Sequence, residues 1–165
     1  GYFCRIRSKQ MKFRRLTKEE FEPLAEDFAL FLAANSIDKK MWDEMKAHRP
    51  AQMEETLDIF SDMVFEKALK SAKYLERITE TEIHCYVFHT SQAHLIRVMI
   101  ENADASFVEG NLGETIQKLL AEQKLELIQG TKKFTAQREI EMFEILKTGA
   151  ALGDGKMYQS LLALL

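Results

Sequence analysis

Residues 50–77, PAQMEETLDIFSDMVFEKALKSAKYLER, constrain the fold of this chain more than any other stretch. Met53, Leu57, Phe60, Val64, Ala68, Ala72 and Leu75 recur at the i, i+3/i+4, i+7 spacing of one buried helical face. Ile59, Met63 and Leu69, with Phe65 nearer the main stripe, widen the apolar arc beyond that of a surface helix. Such an arc calls for cover on two sides, so the stretch reads as a central helix unbroken at Ser61. Pro50 suits its first turn, where a missing N–H costs nothing. About 25 residues at 1.5 Å each give a rod of roughly 38 Å. At about 1.5–3 kcal/mol per fully buried large side chain, this helix is the expected main source of core burial.

The elements around it follow from shorter signals. Thr17-Lys18-Glu19-Glu20 is a capping box, and Phe21, Leu24, Ala25, Phe28, Phe31 and Leu32 continue as a helical stripe to about Asn35. Asp38 caps a short helix over 39–48. After Thr79 the period changes to two. EIHCYVFH (82–89) and AHLIRVMIE (93–101) predict a hairpin joined by Thr90-Ser91-Gln92. Pairing His89 with His94 puts Ile83, Cys85, Val87, Ile96, Val98 and Ile100 on a core face. His84, Tyr86, Phe88, Leu95, Arg97, Met99 and Glu101 then share a mixed face. Residues 113–123 predict an amphipathic helix, 124–130 a third strand, 137–148 a helix closed by Gly149, and 156–164 a last helix. Gly149-x-x-x-Gly153-Asp154-Gly155 reads as a loop between those two. The architecture expected is α+β: one domain over 1–165, with an N-terminal helical layer packed on a small, mainly antiparallel three-stranded sheet and further C-terminal helices.

Composition restricts function without naming it. Of the 165 residues, 46% are apolar and 30% charged, a globular profile rather than a disordered one. No apolar run reaches the ~18 residues of a membrane span, and the N-terminus lacks a signal-peptide core. Cys4 and Cys85 are too few for a disulfide framework, so a reducing, cytoplasmic setting is expected. The net charge of −3 is unevenly spread. Residues 1–18 carry Arg5, Arg7, Lys9, Lys12, Arg14, Arg15 and Lys18 and no acid, a charge of +7 that leaves −10 for the remainder.

Three constellations carry a chemical reading. Glu54, Asp58, Asp62 and Glu66 stand four apart along one helical edge, a spacing that could serve a divalent cation or a partner's basic surface. The simpler reading is a charge gradient, acids first and Lys67, Lys70, Lys73 and Arg77 last, which complements the helix dipole. His84, His89 and His94 with Cys85 hold metal-ligating atoms but match no known ligand spacing, and read as ordinary sheet histidines. The basic arm, Arg5, Arg7, Lys9, Lys12, Arg14 and Arg15 interleaved with Tyr2, Phe3 and Phe13, could bind nucleic acid, or Arg14, Arg15 and Lys18 could pair with the chain's own acids. No GxSxG, GxxxxGK[ST], GxGxxG or HExxH occurs, and Asp104 and Glu109 lie in a loop without an identifiable partner.

From Met11 onward, MKFRRLTKEEFEPL and FLAANSID, then LDIFSDMVFEKAL with KYLERIT, and finally residues 138–155, resemble a domain-of-unknown-function family of small cytoplasmic Bacteroidetes proteins. The likeness spans Met11 to Leu165, leaves residues 1–10 outside, and implies no catalytic residues. The function expected is a non-enzymatic protein-interaction or regulatory module without cofactor or bound metal. Its candidate partner surface is Glu54, Asp58, Asp62 and Glu66 or the mixed hairpin face with Tyr86, Phe88 and Arg97. A homodimer is compatible with the two-sided cover of the central helix. Nucleic-acid binding through the basic arm is the alternative, and a metal-dependent hydrolase the second.

Overall fold

The structure is a computed structural model that describes residues 11–165. The basic residues Arg5, Arg7 and Lys9 lie outside the described residues. The chain divides into two compact units, residues 1–68 and residues 69–165.

Among the described residues the first unit is helical. Helix α1 (Lys18–Phe21) starts at the capping box: the Thr17 hydroxyl accepts from the Glu20 amide at 3.2 Å, and the Glu20 carboxylate accepts from the Thr17 amide at 2.8 Å. The helical stripe predicted to continue to about Asn35 contains a 3-10 turn, Glu22–Leu24, before α2 (Ala25–Ala34). Pro23 causes it, because proline has no N–H to offer and crowds the preceding turn. Asp38 caps α3 (Lys39–His48) by accepting from the Met41 amide at 2.8 Å. Helix α4 (Pro50–Ser71) follows after one residue.

Phe60 of α4 is the hub of this unit. Its ring lies 5.0 Å from Phe28, 5.4 Å from Phe31 and 5.8 Å from Phe21, and Trp42 meets Phe28 edge-on at 5.2 Å. Pairs of this geometry add about 0.5–1.5 kcal/mol each beyond their buried area. The α4 backbone is continuous through Ser61, as the periodicity requires. Ile59 and Met63 nevertheless stay 41% and 52% exposed, so the widened arc is not covered on that side.

Helix α4 ends at Ser71, not at Arg77, and the residues after it form strand β1 (Tyr74–Ile78). Tyr-Leu-Glu-Arg-Ile fits either period over so short a run, and hydrogen bonding to β2 decides it. The second unit is built on a five-stranded, wholly antiparallel sheet in the order β4-β3-β2-β1-β5, two strands more than the sequence predicts. β2 (Glu82–Phe88) and β3 (Gln92–Ile100) are the hairpin, β4 (Leu125–Lys133) is one edge, and β5 (Ala151–Gly153) is the other. β5 lies in the stretch expected to be loop, and pairs Gly153 with Tyr74 and Leu152 with Leu75.

The hairpin register differs from the expected one by two residues. His94 lies opposite Val87, and the His89 amide donates to the Gln92 carbonyl at 2.9 Å. A shift of two preserves the face of every side chain. Ile83, Cys85, Val87, Ile96 and Val98 are therefore buried together as predicted, against Phe107, Leu119 of α5 (Leu112–Ala121), and Tyr158 and Leu161 of α7 (Lys156–Leu162). Helix α6 (Arg138–Leu146) supplies the buried Met142 and Phe143.

Candidate functional site

The acidic edge of α4 and the basic residues after Met11 meet each other. Asp62 accepts the amides of Lys12 (2.8 Å) and Phe13 (3.0 Å), one on each carboxylate oxygen. Arg15 reaches Asp58 through Nε (2.7 Å) and Glu54 through Nη2 (2.6 Å). Lys12 stands 3.6 Å from Glu66. Arg14 pairs with Glu20, holding that carboxyl down at about 2, and lies over the Phe65 ring at 4.8 Å. Ser61 is buried, accepts the Leu16 amide and donates to the Leu57 carbonyl. Lys12, Arg14 and Arg15 are thus engaged with the chain's own acids.

The histidines do not converge. His84 Nε2 is 3.3 Å from Glu82, and the His89 and His94 rings meet edge-on at 5.2 Å, with His94 Nδ1 2.8 Å from the Thr131 hydroxyl. Cys85 sits in the core, where burial pushes its thiol up to about 12. Among the described residues no three His, Cys, Asp or Glu side chains gather as a metal site would require. Asp104 and Glu109 line an open depression of about 430 Å³ with Lys118 and Lys124.

Sequence reasoning missed Arg138. Its Nε donates to the His89 carbonyl (3.0 Å), Nη1 to that of Leu69 (3.1 Å), and Nη2 to those of Ala72 (2.6 Å) and Phe88 (3.3 Å). It closes the last turn of α4 against the hairpin and borders an open depression of about 540 Å³ with Lys73, His89 and the buried Glu139. An arginine at the start of a helix carries no sequence signal for that role.

The mixed sheet face holds the most distinctive grouping. Strand pairing sets Tyr86 opposite Leu75 and Leu95, His84 opposite Arg77 and Arg97, and Ala93 opposite Lys132, so these side chains share one face. Glu82 pairs with Arg97 Nη2 on one oxygen and with His84 on the other. Those hydrogen bonds, Arg97's first, hold its carboxyl below the ordinary range. Burial raises the half-buried Tyr86 hydroxyl, while the charges of Arg77, Lys132 and Arg97 pull it the other way. Lys132 is held by Glu141 at 2.8 Å. Arg77 has no ion pair among the described residues, and Arg97 Nε is buried without an acceptor. Met99 is half-buried and Ile128 is 43% exposed at the same face. Phe88 is only 2% exposed and stacks on Phe134 at 5.6 Å, so it offers no contact area. Arg77 escaped sequence reasoning because it was placed on a helix, and Lys132 because the third strand was ended at Gly130.

No helix among the described residues is long and apolar enough to cross a membrane. No curated protein and no solved structure matches the chain. Over residues 11–165 it matches the family of unknown function DUF6495, the stretch that begins at Met11 and leaves residues 1–10 aside, and the chain belongs to that family.

Proposed function

We propose that this chain is a non-enzymatic, cytoplasmic protein-interaction module that receives an acidic segment of a partner protein on the sheet face around Tyr86. The observation that carries the reading is the strand register, which sets three cations, Arg77, Arg97 and Lys132, on the same sheet face as one half-buried tyrosine. Tyrosine and arginine are the residue types that dominate interface energetics, because each covers a large area and keeps a polar end. Glu82 and Glu141 engage Arg97 and Lys132, and Arg77 is left with its charge uncompensated. A partner carboxylate there would complete the balance, and complementary charge would steer its approach.

The test places a photo-crosslinking residue at Met99 in growing cells. A discrete partner is expected, recovered less as salt rises and lost in Arg77→Glu and in Tyr86→Ala. Cross-links indifferent to both substitutions, in chains that melt as wild type does, would remove the proposal.

A further inference from the structure

The longest unpaired edge of the sheet is β4. Among the described residues it bonds only β3, and from Glu126 onward its residues are exposed except Leu127. The direction of each backbone group follows from bonds at its two ends. The Glu101 amide donates to the Lys124 carbonyl (2.9 Å), and the Phe134 amide to the Ser91 carbonyl (3.3 Å), so even-numbered residues here turn toward β3. In an antiparallel ladder the direction alternates. The backbone N–H and C=O groups of Leu125, Leu127, Gln129, Thr131 and Lys133 therefore point outward, and none bonds another segment among the described residues.

Exposed strand edges are normally blunted, and lysines such as Lys132 and Lys133 are a common device. Here the lysines stand at one end of the strand and acids at the other. Glu101, just past β3, lies beside Glu126, and the hydrogen bond that a protonated Glu101 donates to the Glu126 carboxylate, with the charge of Glu126, raises the Glu101 carboxyl above its ordinary value. The two like charges repel each other, and a lysine brought beside them would relieve that repulsion; Lys124, opposite Glu101, is paired with Glu122 at 3.5 Å.

We infer that β4 pairs with β4 of a second copy of this chain, antiparallel about a two-fold axis at Gln129, to make one continuous ten-stranded sheet. The inference rests on the strand edge and shares Lys132 with the Tyr86 face, and self-association of the purified chain tests it apart from any binding of a partner. Only outward-pointing residues can form hydrogen-bonded pairs, and the register that uses the whole strand sets Gln129 opposite Gln129, Leu127 opposite Thr131, and Leu125 opposite Lys133. Glu126 then faces the other copy's Lys132, and Ile128 the other copy's Gly130, in the close non-hydrogen-bonded positions. Each acid pair thereby meets the other copy's Lys132, a cation shared with the Glu141 that holds it at 2.8 Å within its own chain, twice by symmetry. Around Gly130 a Cβ would meet nothing within 4 Å, which leaves room for the exposed Ile128 side chain. An isologous contact of this kind closes on itself and does not propagate into a fibre. Its area is at the low end of stable interfaces, so the equilibrium is concentration-dependent.

Sedimentation equilibrium of the full chain over about a hundredfold range of concentration tests this. The expected result is a reversible monomer–dimer equilibrium. Gln129→Pro removes an outward N–H that β3 does not use, and should weaken the dimer at least about tenfold while the melting temperature of the monomer holds. Glu126→Lys sets like charges together twice and should weaken it similarly, and adding Lys132→Glu should restore it. If the doubly substituted chain melts early through loss of the Glu141 contact, Gln129→Pro alone decides. A wild-type chain that stays monomeric throughout, or a dimer that tolerates both Gln129→Pro and Glu126→Lys, overturns the inference.

Discussion

The guanidinium of Arg138 donates to the carbonyl of Ala72 at 2.6 Å, joining residues 66 apart in the chain. With the bonds to Leu69, Phe88 and His89 it brings charged donors to carbonyls at the end of α4 and in the hairpin, that of Leu69 also accepting from the Ala72 amide at 3.3 Å. Arg138→Ala should lower the unfolding free energy by about 2–3 kcal/mol, read from the urea midpoint, since several part-buried acceptors lose a charged donor together. Arg138→Lys should recover only part of it, because an ammonium lacks the planar fork. A loss below about 0.5 kcal/mol, the level of an ordinary surface change, would show that water replaces the arginine.

That bond also marks where the sequence stops being legible. The capping box at Thr17, the Asp38 cap, the amphipathic helices and the two-residue alternation of the hairpin are local, and each was readable from neighbouring residues. Ile83, Cys85, Val87, Ile96 and Val98 fell on the right face even with the turn misplaced, because alternation fixes the face and only the turn fixes the register. The end of α4 was misread because Ala72 and Leu75 continue the helical period by coincidence. What stops the helix is Arg138 and the strand pairing of Tyr74–Ile78, both long-range. The face around Tyr86 was half visible: Arg97 lies in the hairpin, whereas Arg77 and Lys132 reach it only through β1 and β4. The grouping of Lys12 and Arg15 with Glu54, Asp58 and Asp62 was suggested by charge but needed the fold to assign partners.

Asp62 holds the segment before α1 against α4 through two backbone amides. Asp62→Ala should cost about 1–2 kcal/mol and speed hydrogen exchange at Lys12 and Phe13, with little change at Phe60. Asp62→Asn keeps an acceptor and should restore part of the loss. Unchanged exchange at Lys12 and Phe13 in the alanine variant would show that Arg15 and Leu16 anchor the segment without Asp62.

Glu141 is buried and accepts from Lys132 (2.8 Å) and the amides of Thr135 (2.9 Å) and Ala136 (3.1 Å). These bonds, that of Lys132 foremost, hold its carboxyl down at about 2. A carboxyl depressed in the folded state contributes stability that is complete above its unfolded value of about 4.3 and is lost as pH falls through the folded value. Melting temperature should therefore fall between about pH 4.5 and pH 2. Glu141→Gln should melt lower at neutral pH and flatten that decline without abolishing it, because Glu20 is also held down at about 2. Parallel wild-type and variant profiles across the window would contradict the assignment.

Gly155, which precedes α7, adopts φ +89°, and a Cβ there would lie 2.6 Å from the Tyr74 ring. Two independent costs follow for Gly155→Ala: a left-handed backbone that alanine resists, and a collision with a ring that also meets Tyr158 at 5.9 Å. Together they should destabilise by about 1–3 kcal/mol. A double-mutant cycle with Tyr74→Ala separates them, since removing the ring abolishes the collision and leaves the backbone cost. The expected coupling is favourable: Gly155→Ala should cost less in the Tyr74→Ala chain than in wild type. Equal costs in both backgrounds would assign the whole effect to the backbone and show that Tyr74 can move aside.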